Sequence, residues 1–566
     1  MAKMNGSQAV IQCLLEEEVS TIFGYPGGAV LDLYDALMDA PIKNVLVRHE
    51  QGAVHAADGF ARTTGKVGVA LLTSGPGATN GVTGIATAYA DSVPLVVITG
   101  QVSRNLIGND AFQEVDIVGI TRPCTKHNYL VTNRDDLVPT LREAFHIAAS
   151  GRPGPVLVDI PKDLQTAIIN YPERTPVQMK SYQPHYEPHR GQIAKAGKQL
   201  LKAKKPVILA GGGVIASDAS EDMVQLAERL HLPVAMTLMG LSAFPGMNKL
   251  SLGMLGMHGT YAANMAMANA DLIIAIGTRF ADRITGRLDS FAKGANIIHI
   301  DIDPTSISKN VRVDTPIVAD CKMALTAMNA WLDKEEGIDW REQAASVEAW
   351  LETIGEWQSS HPLTYKDDDT IIKPQYVVQV LEKLTGGNAI ITTEVGQNQM
   401  WAAQFYRFNH PRHFVSSGGL GTMGFGLPAA IGAQIANPDK TVIDIAGDGS
   451  IQMNIQELAT ARQQGCRVKV AILNNRYLGM VRQWQELFYN RRYSSTPMEV
   501  APDFVELAKA YGAVGLRATK KSEVEPVIQE ALATDNLVLM DFVVDREEGV
   551  YPMIPAGKST TEMLLV

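Results

Sequence analysis

Eleven short runs rich in Val, Ile and Leu, most of them closing on glycine or polar residues, recur between helical stretches of this 566-residue chain. That alternation is the pattern of parallel sheets built from βαβ units, and it leaves the chain few ways to fold. The runs fall into three blocks. NVLVRHE (44–50), KVGVALLTSGPG (66–77), PLVVITG (94–100) and GPVLVDIP (154–161) form the first. PVILAGGG (206–213), ADLIIAIGTR (270–279) and ANIIHIDIDP (295–304) form the second, and NAIITTEVG (388–396), TVIDIAGDG (441–449), VKVAILNN (468–475) and LVLMDFVV (537–544) the third. Between them lie a segment with four prolines at 170–190 and a charged one at 333–374, which read as linkers. Single cores saturate near a few hundred residues, so three doubly wound α/β domains with mainly parallel sheets are expected. We place them at 1–168, 190–335 and 372–545, with a tail at 546–566.

Composition narrows the function. Apolar residues at 46% against 19% charged exclude a disordered chain. The formal charge of −10, with no long Lys/Arg block, argues against nucleic acid or an anionic membrane as partner. Cys13, Cys124, Cys321 and Cys466 lie far apart, which suggests neither a zinc knuckle nor a disulfide framework. No apolar run reaches ~18 residues, and the amino terminus opens on an amphipathic helical pattern, so a soluble cytoplasmic protein is expected.

Open parallel sheets bind ligands at the carboxyl ends of their strands. The most informative ends are Gly447-Asp448-Gly449-Ser450 and Asn474-Asn475, one crossover apart. That spacing puts the Asp448 carboxylate and the Asn475 amide oxygen side by side. Magnesium takes oxygens in octahedral array and leaves several positions to phosphate and water. Asp448, Asn475 and a following backbone carbonyl, at Tyr477, suit it, while Gly447, Gly449 and Ser450 let backbone approach a diphosphate. Taken alone, a GDG is a common turn; the asparagine pair makes the metal reading the stronger.

At this point the chain resembles the thiamine-diphosphate enzymes, whose metal motif begins GDG and ends NN. The resemblance implies a glutamate in the partner domain that favours the imino form of the aminopyrimidine; Glu50, in RHEQGA, matches it. FGYPGGAV (23–30), SGPGATN (74–80), DAFQE (110–114), LGMHG (255–259), SGGLGTMGFGLPAAIGA (417–433) and NNRYLGMVRQWQ (474–485) extend the likeness through nearly the whole chain. Together they are similar to the FAD-containing catalytic subunits of the acetohydroxyacid synthase (acetolactate synthase) family. That family decarboxylates pyruvate and ligates the hydroxyethyl unit to a second pyruvate or 2-ketobutyrate.

Position by position, the resemblance implies that Gly28 faces the thiazolium and that Phe112, Gln113 and Lys162 line the reacting centre. Met423 would wedge the cofactor into its folded shape, with Gly421 and Met480 beside it. For FAD, structural rather than redox-active here, the matching positions are Arg152, Gly211, Gly212, Gly213, His258, Gly259, Gly277, Thr278, Arg279, Asp301 and Asp320. Arg283 would bind the carboxylate of the second keto acid, and Trp484 would line its pocket. Ala281 stands where the family commonly has an acidic residue, which leaves Asp282 as the carboxylate next to Arg283. The family also implies a homodimer, with Glu50 and Asp448 from different subunits, and a small regulatory subunit.

Two other motifs compete. Gly557-Lys558-Ser559 has the end of a phosphate loop but Pro552 in place of its first glycine. Gly419-x-Gly421-x-x-Gly424 with Asp444 satisfies a dinucleotide fingerprint, yet Asp444 lies inside its strand. A pyruvate oxidase-like flavoenzyme, an NAD-dependent dehydrogenase and a non-enzymatic scaffold are therefore the alternatives.

Overall fold

The computed structural model describes residues 3–335, 338 and 340–566. Every one of the eleven apolar runs contributes a strand. The continuous ones become strands covered on both faces: each residue of Leu95–Gln101 and Pro155–Pro161 is buried, as expected when helices cover both sides of a parallel sheet.

Three six-stranded sheets result, all pairings parallel. With the strands of each sheet numbered from one in chain order, the first and third run 2-1-3-4-6-5. The middle one runs 3-2-1-4-5-6, the order of dinucleotide-binding sheets. In the first sheet the strands are Thr21–Tyr25, Lys43–Leu46, Gly68–Leu72, Leu95–Gln101, His127–Leu130 and Pro155–Pro161. In the third they are Ile390–Thr393, Phe414–Val415, Val442–Gly447, Lys469–Asn474, Val514–Ala518 and Val538–Val543. A small antiparallel pair, Lys3–Asn5 with Ile168–Asn170, ties the amino terminus to the end of the first domain.

Residues 171–189 carry no helix or strand, in keeping with their prolines. The second connection contains a helix, Trp340–Ser360, followed by an irregular stretch; Glu336, Gly337 and Asp339 of that connection lie outside the described residues. The crossover between the GDG and NN strand ends is not one continuous helix but a 3₁₀ turn, Ile451–Asn454, and a helix, Glu457–Gln463. Side chains at the break are used elsewhere: the Asn454 amide donates to Gly424 O, and Glu457 accepts the Arg48 N–H.

The first and third domains meet through helices Glu50–Thr64 and Gly426–Ala436. A Cβ on Gly432 would lie 1.9 Å from Ala56 O, so this crossing is as close as backbone allows. The tail crosses the central domain, where Ile554 N–H donates to Met257 O and Arg287 N–H to Lys558 O.

Candidate active site

Asp448 follows the third strand of the third sheet and is 1% exposed. Neither carboxylate oxygen has a hydrogen-bond partner, although the Asn475 and Arg476 N–H groups face it from further out. Burial pushes its pKa up to about 7. A carboxylate withdrawn from water and left unpaired is an incomplete arrangement that a cation completes. Asn475 lines the same small cavity, as do Gly447, Gly449, Ser450 and Tyr477.

The orientation of the Asn475 amide is fixed from behind. Its Nδ2 donates to Gln397 Oε1 at 3.1 Å, and Gln397 Nε2 donates to Gln483 Oε1 at 2.9 Å and to Glu548 O. Gln483 in turn exchanges two hydrogen bonds with the Val550 backbone. Among the described residues the Asn475 Oδ1 accepts only the Tyr477 N–H, which leaves it a lone pair. Among the described residues no cluster of three His, Cys, Asp or Glu could hold a metal. The donor set of one carboxylate, one amide oxygen and a carbonyl fits magnesium that completes its shell with phosphate and water.

A cavity of about 820 Å³ opens beside this site, within the range of small-molecule and cofactor pockets. Met423 and Met480 line both cavities and mark their junction. Arg152, Gly211, Gly212, Gly213, His258, Gly277, Thr278, Arg279, Asp301 and Asp320 line the large cavity, as do Gly421, Arg283 and Trp484. Gly259 does not; it closes a turn, donating to Gly256 O. Gly211 has a structural reason to be glycine, since a Cβ there would stand 2.1 Å from Gly277 O at the neighbouring strand end.

Two arginines, Arg152 and Arg279, give one part of the cavity an anion-binding character. Arg152 is anchored by Ser92 Oγ and Asp303, whereas the Arg279 guanidinium has no hydrogen-bond partner among the described residues. Partial burial and Arg152 nearby hold Arg279 below its ordinary pKa. Two guanidinium groups that disfavour each other in a sheltered cleft suit a diphosphate. Burial raises Asp301 to about 6 and lowers His258 to about 4, so at neutral pH the first is a hydrogen-bond acceptor and the second uncharged. These features fit a dinucleotide cofactor such as FAD. Arg283 pairs with Asp282 at 2.9 Å, both well exposed. The carboxylate at 282 thus supports this arginine, where Ala281 offers none.

The remaining expected residues gather elsewhere, at the carboxyl end of the first sheet. Glu50 opens helix Glu50–Thr64, is 9% exposed and accepts from Asn80 Nδ2 at 2.9 Å. A Cβ on Gly77 would stand 3.2 Å from Glu50 Oε1, and one on Gly75 within 2.9 Å of Gln113. Thr73 fills the space between Gly27 and Gly77. Phe112 is 88% exposed, Lys162 is exposed, and a Cβ on Gly28 would meet nothing within 4 Å. None of Gly28, Glu50, Phe112, Gln113 and Lys162 lines either cavity. Within one chain, then, the two groups of residues stand apart.

Neither competing motif has the surroundings of a nucleotide site. Gly557 sits in a turn with no helix after it. At Gly424, the start of the following helix is already filled from within: Glu394 accepts the Gly424 N–H at 2.6 Å and the Leu427 N–H at 3.1 Å. Asp444 is fully buried against Thr392 and beyond reach of a ribose. Burial pushes both carboxyl groups up. Sequence reading missed Glu394, Gln397, Gln483 and Asp91, which have no motif of their own.

Sheets of this order, with a buried carboxylate and a fixed amide at adjacent strand ends, define a cofactor-dependent enzyme of the diphosphate-binding α/β type. Family comparison agrees. Residues 4–120 match the N-terminal TPP binding domain of thiamine pyrophosphate enzymes, 193–328 their central domain and 394–542 their C-terminal TPP binding domain. The acetolactate synthase large subunit of Haemophilus influenzae is 52% identical over 569 residues, covering 100% of this chain and 99% of that one. The isozyme 3 large subunit of Escherichia coli is 51% identical over 571 residues, with the same coverage. A probable large subunit of Methanocaldococcus jannaschii is 50% identical, covering 99% of this chain and 95% of that one. The chain belongs to the acetolactate synthase large-subunit family of thiamine pyrophosphate enzymes.

Proposed function

We propose that this chain is the catalytic subunit that decarboxylates pyruvate and ligates the two-carbon unit to a second 2-keto acid. The products are 2-acetolactate from pyruvate and 2-aceto-2-hydroxybutyrate from 2-ketobutyrate, which commits carbon to branched-chain amino acids. The observation that carries this reading is the buried, unpartnered Asp448 carboxylate beside the fixed Asn475 amide, in a chain about half identical to named acetolactate synthases.

The third domain, 372–545, would hold Mg2+ through Asp448, Asn475 and the Tyr477 carbonyl, with Gly447, Gly449 and Ser450 around the diphosphate. Thiamine diphosphate, when bound, supplies the carbon centre on which decarboxylation and ligation occur. Met423, at the junction of the two cavities, would press against it, flanked by Gly421 and Met480. The central domain, 190–335, would hold FAD as a structural group, with Arg152 and Arg279 facing its diphosphate. Arg283 would receive the carboxylate of the second keto acid, and Trp484 the rest of it.

Glu50 in the first domain, 1–168, would hold a proton at the aminopyrimidine, with Gly28, Phe112, Gln113 and Lys162 facing the reacting centre. Because these residues stand apart from Asp448 within one chain, the complete site needs a second copy. Exposed Phe112 and the open space over Gly28 support a homodimer in which each first domain faces the partner's third. The name "large subunit" carried by the relatives supports a small regulatory partner, and four unpaired cysteines support a reducing, cytoplasmic setting.

The test is product analysis from pyruvate with thiamine diphosphate and Mg2+. Acetolactate is expected; acetyl phosphate or peroxide instead would replace this reading with an oxidase. A yellow purified protein whose flavin is not reduced by pyruvate is the companion result.

A further inference from the structure

A buried ionic cluster outside the assigned residues joins the first domain to the loop between the two cavities. Arg62, on the last turn of helix Glu50–Thr64, binds Asp58 at 2.5 Å and Asp91 at 2.9 Å, and donates to Ser416 O at 3.0 Å. Both carboxylates have fully buried side chains. One guanidinium cannot balance two carboxylates, and a buried charge without compensation is costly. Further compensation comes from the third domain. Asp91 Oδ1 accepts the Gly419 N–H at 2.6 Å, and Oδ2 accepts the Gly418 N–H at 3.0 Å.

The double glycine is fitted to this carboxylate. A Cβ on Gly419 would stand 2.9 Å from both Asp91 Oδ1 and Ala90 O. A few residues further on, the Thr422 hydroxyl meets Thr87 at 2.7 Å, on the same helix, Val82–Asp91. The loop therefore takes its shape from the first domain at two points. Its Gly418-Gly419 end lines the large cavity, and Met423 reaches the junction with the small one.

We propose that Asp91, held by Arg62, is a positioning residue that sets loop 417–423 for both cofactors at once. The first domain then shapes the cofactor site of its own chain, in addition to presenting Glu50. This rests on the reading of the two cavities as flavin and thiamine-diphosphate sites.

Asp91→Asn is the informative change. All three partners of this side chain are donors, so an amide nitrogen in either position faces a donor, at almost unchanged volume. In the full-length holoenzyme, the dissociation constant for FAD, read by visible absorbance after gel filtration, is expected to rise at least tenfold. The half-saturation for thiamine diphosphate at fixed Mg2+, read by circular dichroism, should rise at least fivefold, with KM for pyruvate nearly unchanged. A purely structural role would lower the thermal midpoint and leave both affinities within twofold of wild type, and that result overturns the proposal. If Asp91→Asn does not fold, Thr87→Val removes the second tie; a threefold loss in the same two affinities is expected, and no change in either overturns it. Wild-type protein that binds no FAD would refute the flavin reading of the central cavity, while the thiamine-diphosphate titration still tests Asp91.

Discussion

The first and third sheets share one strand order and end in opposite ways. At the third sheet's strand ends a small pocket forms, with Asp448 buried and the Asn475 amide fixed by a chain of buried partners. At the same edge of the first sheet Glu50 and Gln113 gather around Gly75 and Gly77, but Phe112 stands out in solvent and Gly28 faces open space. Topology alone therefore does not make a site. One sheet end is a lined pocket and the other an open surface, the contrast on which the proposed homodimer rests.

The sharpest way to break this comparison is complementation. Glu50→Gln should lose most ligation, since a positioned acid or base contributes ~10²–10⁴-fold, and Asp448→Asn should lose it through the metal that carboxylate would hold. If the halves come from different chains, refolding the two variants together restores about a quarter of wild-type activity, because half the dimers are mixed and each carries one intact site. No recovery on mixing, with mixed dimers demonstrated by tagged pull-down, would place both halves in one chain. Next in size is cofactor retention. Asp448→Asn should weaken Mg2+-dependent binding of thiamine diphosphate by about 100-fold or more, judged against the ~10–100-fold cost of losing even an outer partner. Glu50→Gln should leave it largely intact, and calorimetric titration of both variants separates the two roles.

A smaller effect is expected at Trp484. Replacement by Leu should cut discrimination between 2-ketobutyrate and pyruvate by roughly tenfold, within the ~1–3 kcal/mol that one methylene is worth. Competition between the two keto acids measures it, and an unchanged product ratio would remove Trp484 from the substrate pocket. The smallest concerns the seam between the domains, where His55 is buried edge-on to Phe425. Burial lowers its pKa to about 3 from 6.5. The unfolded chain therefore takes up this proton first as acid is added, and stability present above the unfolded value is lost as pH falls toward the folded one. The slope is at most about 1.4 kcal/mol per pH unit. His55→Phe should show a shallower acid limb in denaturant midpoints below pH ~6.5; an unchanged limb would mean that this histidine is already protonated in the native protein.

Much of this architecture was legible in the residues because fully covered parallel strands are continuous apolar runs. Of the strands outside those runs, His127–Leu130, Thr315–Val318 and Val514–Ala518 lie at sheet edges, where one neighbour is missing and polar residues are tolerated, whereas Thr21–Tyr25 and the short Val234–Met236 are interior. The residues that line the two cavities could be named beforehand for different reasons: Asp448 and Asn475 by their spacing at strand ends, the central-domain positions only through the family resemblance. What stayed hidden was the support. Asp91 and Gly418 are 327 residues apart, and Glu394 fills a helix start that the glycine pattern alone offered to a nucleotide. Such contacts leave no local pattern, because each partner alone is an ordinary polar residue.

The amide chain behind Asn475 has a consequence of its own. From Asn475 through Gln397 and Gln483 to the Val550 backbone, every link is an amide, and none of them gains or loses a proton at the pH at which proteins work. A carboxylate or imidazole in the same place would hold its neighbour in one direction at one acidity and release it at another. Here the direction is set by a peptide group at the far end, which cannot turn over, so the oxygen beside Asp448 keeps its heading in acid and alkali alike.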